Sequence, residues 1–209
     1  MIKHILFDLD NTLYSVNTGL DAFFMRRLRE YTSSWLKLPW EECQSLWKDG
    51  MTRYGTTLEW LISEKGFSDV DDYNAYIHPD YEADSISPDP ELRRFLESLP
   101  CPCSILTNSP FFHAERIIKK LKLEGIFRHV FAIEAGGLKG KPHAAAFNRA
   151  LDALGLTPKE ALFIDDIPRY VNGFLVLGGR GLLIDENNIH KNYPHDKIRY
   201  LKELTRFLD

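Results

Sequence analysis

Ile2-Lys3-His4-Ile5-Leu6-Phe7-Asp8-Leu9-Asp10-Asn11-Thr12 is the stretch that decides how this 209-residue chain is read. Residues 2–7 form a short, mostly apolar run that breaks at once into acid and amide. Such a run reads as a strand buried on both faces, the kind found in parallel sheets. Similar runs recur at residues 103–106, 130–133, 161–164 and 182–184. Helical periodicity lies between them. Ala114, Ile117, Ile118 and Leu121 share one face, as do Ala146, Phe147, Ala150, Leu151 and Leu154. Strand alternating with helix predicts βαβ units and an α/β fold, a doubly wound, Rossmann-like parallel sheet.

Residues 15–86 break that rhythm. They are aromatic-rich and charged, contain no convincing strand, and read as helices over 20–36, 41–54, 57–65 and 70–77. Ser85-Ile86-Ser87-Pro88-Asp89-Pro90 then reads as a linker, because closely spaced prolines cannot continue a helix. The expected organisation is an α/β core from residues 1–14 and 87–209, with an all-helical cap inserted at 15–86. Residues 196–208 are expected to close the chain as an amphipathic helix, with Ile198, Leu201, Leu204 and Phe207 on one side.

Composition narrows the function classes. Hydrophobic residues make up 44% of the chain, enough for a sizeable core. A formal net charge of −4 argues against a nucleic-acid polymer or a membrane surface as partner, since either demands a basic face. No run of 18 apolar residues is present to span a bilayer. The start turns acidic too early for a signal peptide, so the expected location is cytoplasmic. Cys43, Cys101 and Cys103 cannot all pair, and Cys101-Pro102-Cys103 lacks the spacing of a CxxC site, which makes them packing thiols. Seven scattered histidines offer no paired zinc spacing. His113 and His143 read as surface or helix-start residues, and Trp35, Trp40, Trp47 and Trp60 as helix packing.

The chemistry gathers at strand ends. Asp8 and Asp10 follow the first strand, at the edge where open α/β sheets bind ligands. Two carboxylates so close are costly without a positive partner, and a divalent cation such as Mg²⁺ suits hard oxygen donors. Thr107-Asn108-Ser109 ends the second strand with a hydroxyl and backbone N–H groups fit for phosphate oxygens. Gly140-Lys141-Pro142 brings an ammonium to a helix start, and Pro142 stands where a P-loop needs Ser or Thr. Lys139 lies two residues earlier, but the proline favours Lys141. Asp165-Asp166 ends the strand at 161–164 as a second acidic pair.

In order and spacing, Asp8-Leu9-Asp10-Asn11-Thr12, Thr107-Asn108, Lys141-Pro142 and Asp165-Asp166 resemble the four motifs of the haloacid dehalogenase (HAD) superfamily. The likeness covers essentially the whole chain, and the insertion resembles that superfamily's helical C1 cap. Tyr54-Gly55-Thr56-Thr57-Leu58 and Pro88-Asp89-Pro90-Glu91-Leu92-Arg93 are similar to its pyrimidine 5′-nucleotidase branch.

The resemblance implies a Mg²⁺-dependent phosphatase acting on a small phosphorylated metabolite, best a nucleoside 5′-monophosphate. Sugar-phosphate or phosphoglycolate hydrolysis and a catalytically inactive phospholigand-binding domain stay open as alternatives. It implies Asp8 as nucleophile and Asp10 as acid/base, with Thr107, Asn108 and Lys141 holding the phosphoryl group. The implied metal ligands are Asp8, the Asp10 backbone carbonyl and Asp166, joined by Asp165 directly or through a second layer. Cap residues would choose the substrate, and Tyr14, Phe23, Arg26 and Tyr54 are the candidates for those contacts. Relatives that cleave carbon–halogen bonds lack the aspartate that stands here as Asp10, which points to phosphate esters. One departure is Tyr170, at a place where relatives carry Asn or Asp.

Overall fold

The computed structural model describes residues 1–208. The chain packs as two compact units, residues 1–16 with 86–209 and residues 17–85. The expected boundaries lay within two residues of these.

The first unit opens with β1 (His4–Phe7), all four residues buried. The second unit then occupies the insertion with α1 (Leu20–Leu36), α2 (Trp40–Arg53), α3 (Thr57–Lys65) and α4 (Val70–Ile77). These bounds match the sequence periodicity to within a residue. Its centre is aromatic: Trp60 is 1% exposed and packs over Gly50 so closely that a Cβ there would lie 2.6 Å from the indole ring. Trp47 Nε1 donates to Thr57 Oγ1 at 2.8 Å, so these tryptophans pack helices together. Tyr54-Gly55-Thr56-Thr57-Leu58 is a helix start. The Thr56 side chain accepts from Glu59 N (3.1 Å), and Glu59 Oε2 accepts from Gly55 N (2.8 Å), which caps α3 at both ends of the turn.

Back in the first unit, α5 (Pro90–Glu97) was not anticipated. The residues read as linker instead contain Asp89 as N-cap and Pro90 as first helical residue, where a missing N–H costs nothing. There follow β2 (Cys103–Leu106), α6 (Phe111–Lys120), β3 (Val130–Phe131), α7 (Ala144–Leu154), β4 (Ala161–Asp165), α8 (Pro168–Val176), β5 (Arg180–Ile184) and β6 (Lys197–Ile198). All strand pairs are parallel, in the order β3-β2-β1-β4-β5-β6, the Rossmann-like α/β sheet expected. Phe147, Phe163 and Phe174 fill the layer between sheet and helices, with ring centroids 5.2–5.6 Å apart.

Two expectations fail. The run at 130–133 is strand only for Val130 and Phe131, and a 3₁₀ turn begins at Ile133. The tail is no amphipathic α-helix: Lys197–Ile198 is an edge strand and Leu201–Phe207 a 3₁₀ helix. The reason is in the spacing. Ile198, Leu201, Leu204 and Phe207 recur strictly every three residues, the period of a 3₁₀ helix rather than an α-helix.

The topology places the site. The chain runs from β1 outward to β2 and β3, then crosses to β4 on the other side of β1. Phe7 is level with Ile105 on one neighbour and Ile164 on the other. Asp8, Thr107 and Asp165 therefore leave the carboxyl edge together at the switch point, where such sheets bind ligands.

Candidate active site

The Lys141 ammonium is the hub of the carboxyl edge. Its Nζ donates to Asp8 Oδ1 and to Asp165 Oδ2, each at 2.6 Å, and the side chain is 1% exposed. Burial alone would strip its charge, but Asp165 and Asp8 more than reverse that and hold the ammonium above its ordinary value. The rings of Phe163 and Tyr170 stand 5.3 and 5.2 Å from the same nitrogen.

The backbone of Lys141 is held just as firmly. Asn108 Oδ1 accepts from Lys141 N (2.7 Å), and Asn108 Nδ2 donates to Lys141 O (2.9 Å). A Cβ at Gly140 would collide with Asn108 Oδ1, which explains the glycine before the lysine. The Asn108 amide, expected on the phosphate, is thus committed to Lys141, and its backbone N–H is the group left for an anion. The Tyr170 ring faces the Lys141 ammonium, so the residue that departs from the family pattern packs on the lysine. Lys139 is exposed.

Asp8, Asp165 and Asp166 bring carboxylate oxygens within 4.8 Å of one another. Three acids share one ammonium, and the imbalance shows in their protonation. Burial pushes Asp8, Asp165 and Asp166 all upward, only partly opposed by Lys141. A divalent cation fits this donor set. Asn11, whose Nδ2 contacts Asp166 Oδ2 at 3.3 Å, also buries an Oδ1 that has no partner. Asp165 is otherwise engaged, with Oδ1 accepting from Ile167 N (2.8 Å) and Oδ2 from Lys141. Asp8 and Asp166 each keep a carboxylate oxygen that could take a cation directly.

Asp10 faces different company. Its Oδ1 accepts from the Tyr14 hydroxyl (2.7 Å) and lies 2.8 Å from His113 Nε2, and its Oδ2 accepts from Ser109 Oγ (2.6 Å). Burial would raise its pKa. The charge and hydrogen bond of His113, with the Ser109 and Tyr14 hydroxyls, overcome that and hold the carboxyl well below the usual range. The Asp10 side chain is therefore no part of the acidic cluster, and only its backbone carbonyl remains for a metal.

Two expectations are corrected here. Tyr14, read as a substrate contact, is 8% exposed and spends its hydroxyl on Asp10. His113, read as a surface or helix-start residue, does start α6 but is fully buried against Asp10. Helical side chains lean toward the helix N-terminus, so a first-turn histidine after β2 points back at the sheet edge. That lean, with Ser109 next to Thr107-Asn108, was the signal available in the sequence for both partners. Thr107 is buried, and its Oγ1 accepts from Ser109 N (3.0 Å), keeping its own proton to donate. Phe23, Arg26 and Tyr54 belong to the helical unit, where Arg26 lies 5.6 Å from the Phe23 ring and Arg53 5.6 Å from the Tyr54 ring.

Residues 2–174 match the haloacid dehalogenase-like hydrolase family. Over 191 residues the chain is 29% identical to "Phosphate metabolism protein 8" of Saccharomyces cerevisiae, covering 84% of this chain and 59% of that protein. It thus spans less than two thirds of that relative's length. Three solved structures share the fold. An L-2-haloacid dehalogenase from Xanthobacter autotrophicus with chloropropionic acid covalently bound gives a TM-score of 0.64 at 18% identity, covering 100% of both chains. A HAD phosphatase from Thermococcus onnurineus gives 0.63 at 20%, covering 99% of this chain and 98% of that one. The HAD-hydrolase YfnB from Bacillus subtilis, bound to magnesium, gives 0.62 at 18% with the same coverage. At these identities the likeness establishes the fold alone.

Proposed function

The chain belongs to the haloacid dehalogenase-like hydrolase family, and from that premise we propose that it hydrolyses phosphate monoesters through an aspartyl-phosphate on Asp8. The observation that carries this reading is the pairing of Asp8, 2.6 Å from Lys141 Nζ, with a second aspartate two residues on that is held in its own hydrogen-bonded setting. A nucleophile alone would serve carbon–halogen chemistry equally well. Asp10 adds the proton donor that an ester oxygen needs when it leaves.

Asp8 attacks phosphorus as a carboxylate, and Asp10 protonates the departing oxygen. Asp10 then takes a proton from the water that releases phosphate and restores Asp8. Lys141, the Thr107 hydroxyl and the backbone N–H of Asn108 hold the phosphoryl oxygens and balance their charge, which supplies most of the catalysis in phosphoryl transfer. Asp8, Asp166 and the Asp10 carbonyl would hold Mg²⁺, whose charge lets a dianionic phosphoryl group approach the carboxylate. A small phosphorylated metabolite, best a nucleoside 5′-monophosphate, is the proposed substrate. The support is the sequence likeness at residues 54–58 and 88–93.

The test is phosphate release across a panel of nucleoside, sugar and glycolate monophosphates, wild type beside Asp8→Asn, with Mg²⁺ and with a chelator. Release that requires Mg²⁺ and vanishes in Asp8→Asn is expected, with pyrimidine 5′-monophosphates turned over best. Sugar phosphates alone being cleaved would refute the substrate class. No release from any ester by the folded wild type would refute the phosphatase reading itself.

A further inference from the structure

Asp10 is gripped from three separate places in the first unit. Tyr14 comes from the turn after β1, Ser109 from the loop after β2, and His113 from the first turn of α6. The grip is asymmetric between the two carboxylate oxygens. An ionised carboxylate only accepts hydrogen bonds, so the His113 contact at 2.8 Å is an N–H donated to Oδ1. With the Tyr14 hydroxyl at 2.7 Å, both lone pairs of Oδ1 are occupied. Both donors sit on rigid rings in buried side chains, His113 at 0% and Tyr14 at 8% exposure. Oδ2 has a single partner, Ser109 Oγ at 2.6 Å, and a serine hydroxyl can rotate to accept as readily as it donates. One lone pair of Oδ2 therefore stays open, and its one neighbour adapts to either protonation state.

We propose that Tyr14 and His113 are positioning residues that lock Oδ1 of Asp10, making Oδ2 the oxygen that gives and takes the proton, with Ser109 as its adjustable partner. This rests on the reading of Asp10 as the acid/base group. In the first half-reaction the bond from phosphorus to the ester oxygen breaks as the Asp8–phosphorus bond forms. The proton on Oδ2 passes to the leaving oxygen, yielding the alcohol and an Asp10 carboxylate. In the second half-reaction water attacks the phosphorus and its proton returns to Oδ2. The Asp8–phosphorus bond breaks, phosphate leaves, and the proton passes to solvent until the charge of the next ester draws one back to Oδ2. Locking Oδ1 matters because a carboxylate free to turn about its bond to Cβ would offer either oxygen, and a misplaced proton donor loses much of its effect.

The roles predict a dependence on the leaving group that packing alone would not produce. An alkyl or nucleoside ester needs its oxygen protonated as it departs, whereas p-nitrophenolate leaves unaided. We would measure kcat and KM for a nucleoside 5′-monophosphate, an alkyl phosphate and p-nitrophenyl phosphate, in saturating Mg²⁺. The proteins are wild type, Asp10→Asn, Tyr14→Phe, His113→Ala and His113→Gln. Asp10→Asn sets the limiting pattern. His113→Ala and Tyr14→Phe are expected to lower kcat/KM, which reports the first half-reaction alone, by about 30-fold on the alkyl-type esters and by less than about 3-fold on p-nitrophenyl phosphate. His113→Gln, which keeps an N–H donor, should recover part of the loss. If His113→Ala does not fold, Tyr14→Phe, which keeps its ring in place, carries the same test. Equal losses on all three esters, with an active wild type, would overturn the inference and leave the phosphatase reading standing. A wild type inactive on all three would bring down the reading beneath it.

Discussion

Asp8 and Asp10 are separated by one residue, Leu9, yet they sit in opposite electrical surroundings. Asp8 belongs to a group of three carboxylates, two buried and one half-buried, that share one ammonium, and desolvation drives those acids toward their neutral forms. Asp10 belongs to a group of one carboxylate and three donors, which keeps it ionised. The first group is short of positive charge and the second is complete within the protein's own atoms. The difference separates what the fold supplies from what it leaves to a ligand. The Asp8 group has room for a cation's charge, whereas the Asp10 side chain takes its counter-charge from His113. It also locates the acid step. In the free protein Asp10 is ionised, and on the proposed mechanism the negative charge of an arriving phosphoryl group opposes the three donors and favours proton uptake.

The most damaging way to break this contrast is to remove the single ammonium. Lys141→Met would leave Asp8 and Asp165 facing each other unneutralised. Truncating one partner of a buried ion pair costs about 3–5 kcal/mol, since the other charge is left without compensation. Turnover should fall about 1,000-fold, because the same nitrogen is expected to hold a phosphoryl oxygen. Urea unfolding and phosphate release would check both effects. A variant as stable as the wild type would mean that the acids do not depend on Lys141, and the contrast between the two groups would collapse.

The uneven legibility of the sequence follows the same division. The acidic group could be read directly, because Asp8 and Asp165-Asp166 each sit at the end of an apolar run and Lys141 stands before a helix, and strand ends at a switch point meet in space. The Asp10 group could not, because a serine, a tyrosine and a histidine are common residues with many ordinary uses. Only the register of β1 with β2 and the lean of side chains in α6 bring them to one carboxylate. The Asn108 grip on Lys141 was hidden for a related reason: it joins a side chain to a backbone 33 residues away, which no local pattern encodes. The core helices and strands announced themselves by periodicity. The short pieces did not: α5 begins among prolines that read as linker, the two residues of β6 carry no repeat, and the closing 3₁₀ helix has a period of three that passes for an α-helical face.

A second measurement sharpens the contrast by titrating the missing charge. Mg²⁺ at about 100 times its Kd should raise wild-type stability by about 2.7 kcal/mol, if it binds only the folded chain. Asp166→Asn should abolish that gain. In the presence of a chelator the same variant should be at least as stable as the wild type, having shed a half-buried carboxyl crowded by Asp165 and Asp8. Ser109→Ala and Tyr14→Phe should keep the full gain, because they belong to the complete group. Paired thermal melts with Mg²⁺ and with chelator would decide, and a gain lost equally in Tyr14→Phe would erase the boundary between the two groups.

The smallest effect tests what burial does when no opposite charge intervenes. His4 lies at the other end of β1 from Asp8, 2% exposed, with Nε2 2.9 Å from Ser104 Oγ. Burial, with help from the charges of Arg128 and His129, pushes its pKa down to about 4 from 6.5. Between those values the unfolded chain binds a proton that the folded chain refuses. The His4 contribution is therefore fully present above pH 6.5, is lost progressively as pH falls, and levels off below about pH 4. From about pH 8 to about pH 5.5 the loss amounts to roughly 1 kcal/mol. Measured in saturating Mg²⁺, which keeps the acidic group charged and paired, His4→Gln should flatten this slope without changing kcat. An unaltered slope in His4→Gln would assign the acid sensitivity to another group and show that burial on β1 shifts protonation only where charges crowd together, as they do around Asp8.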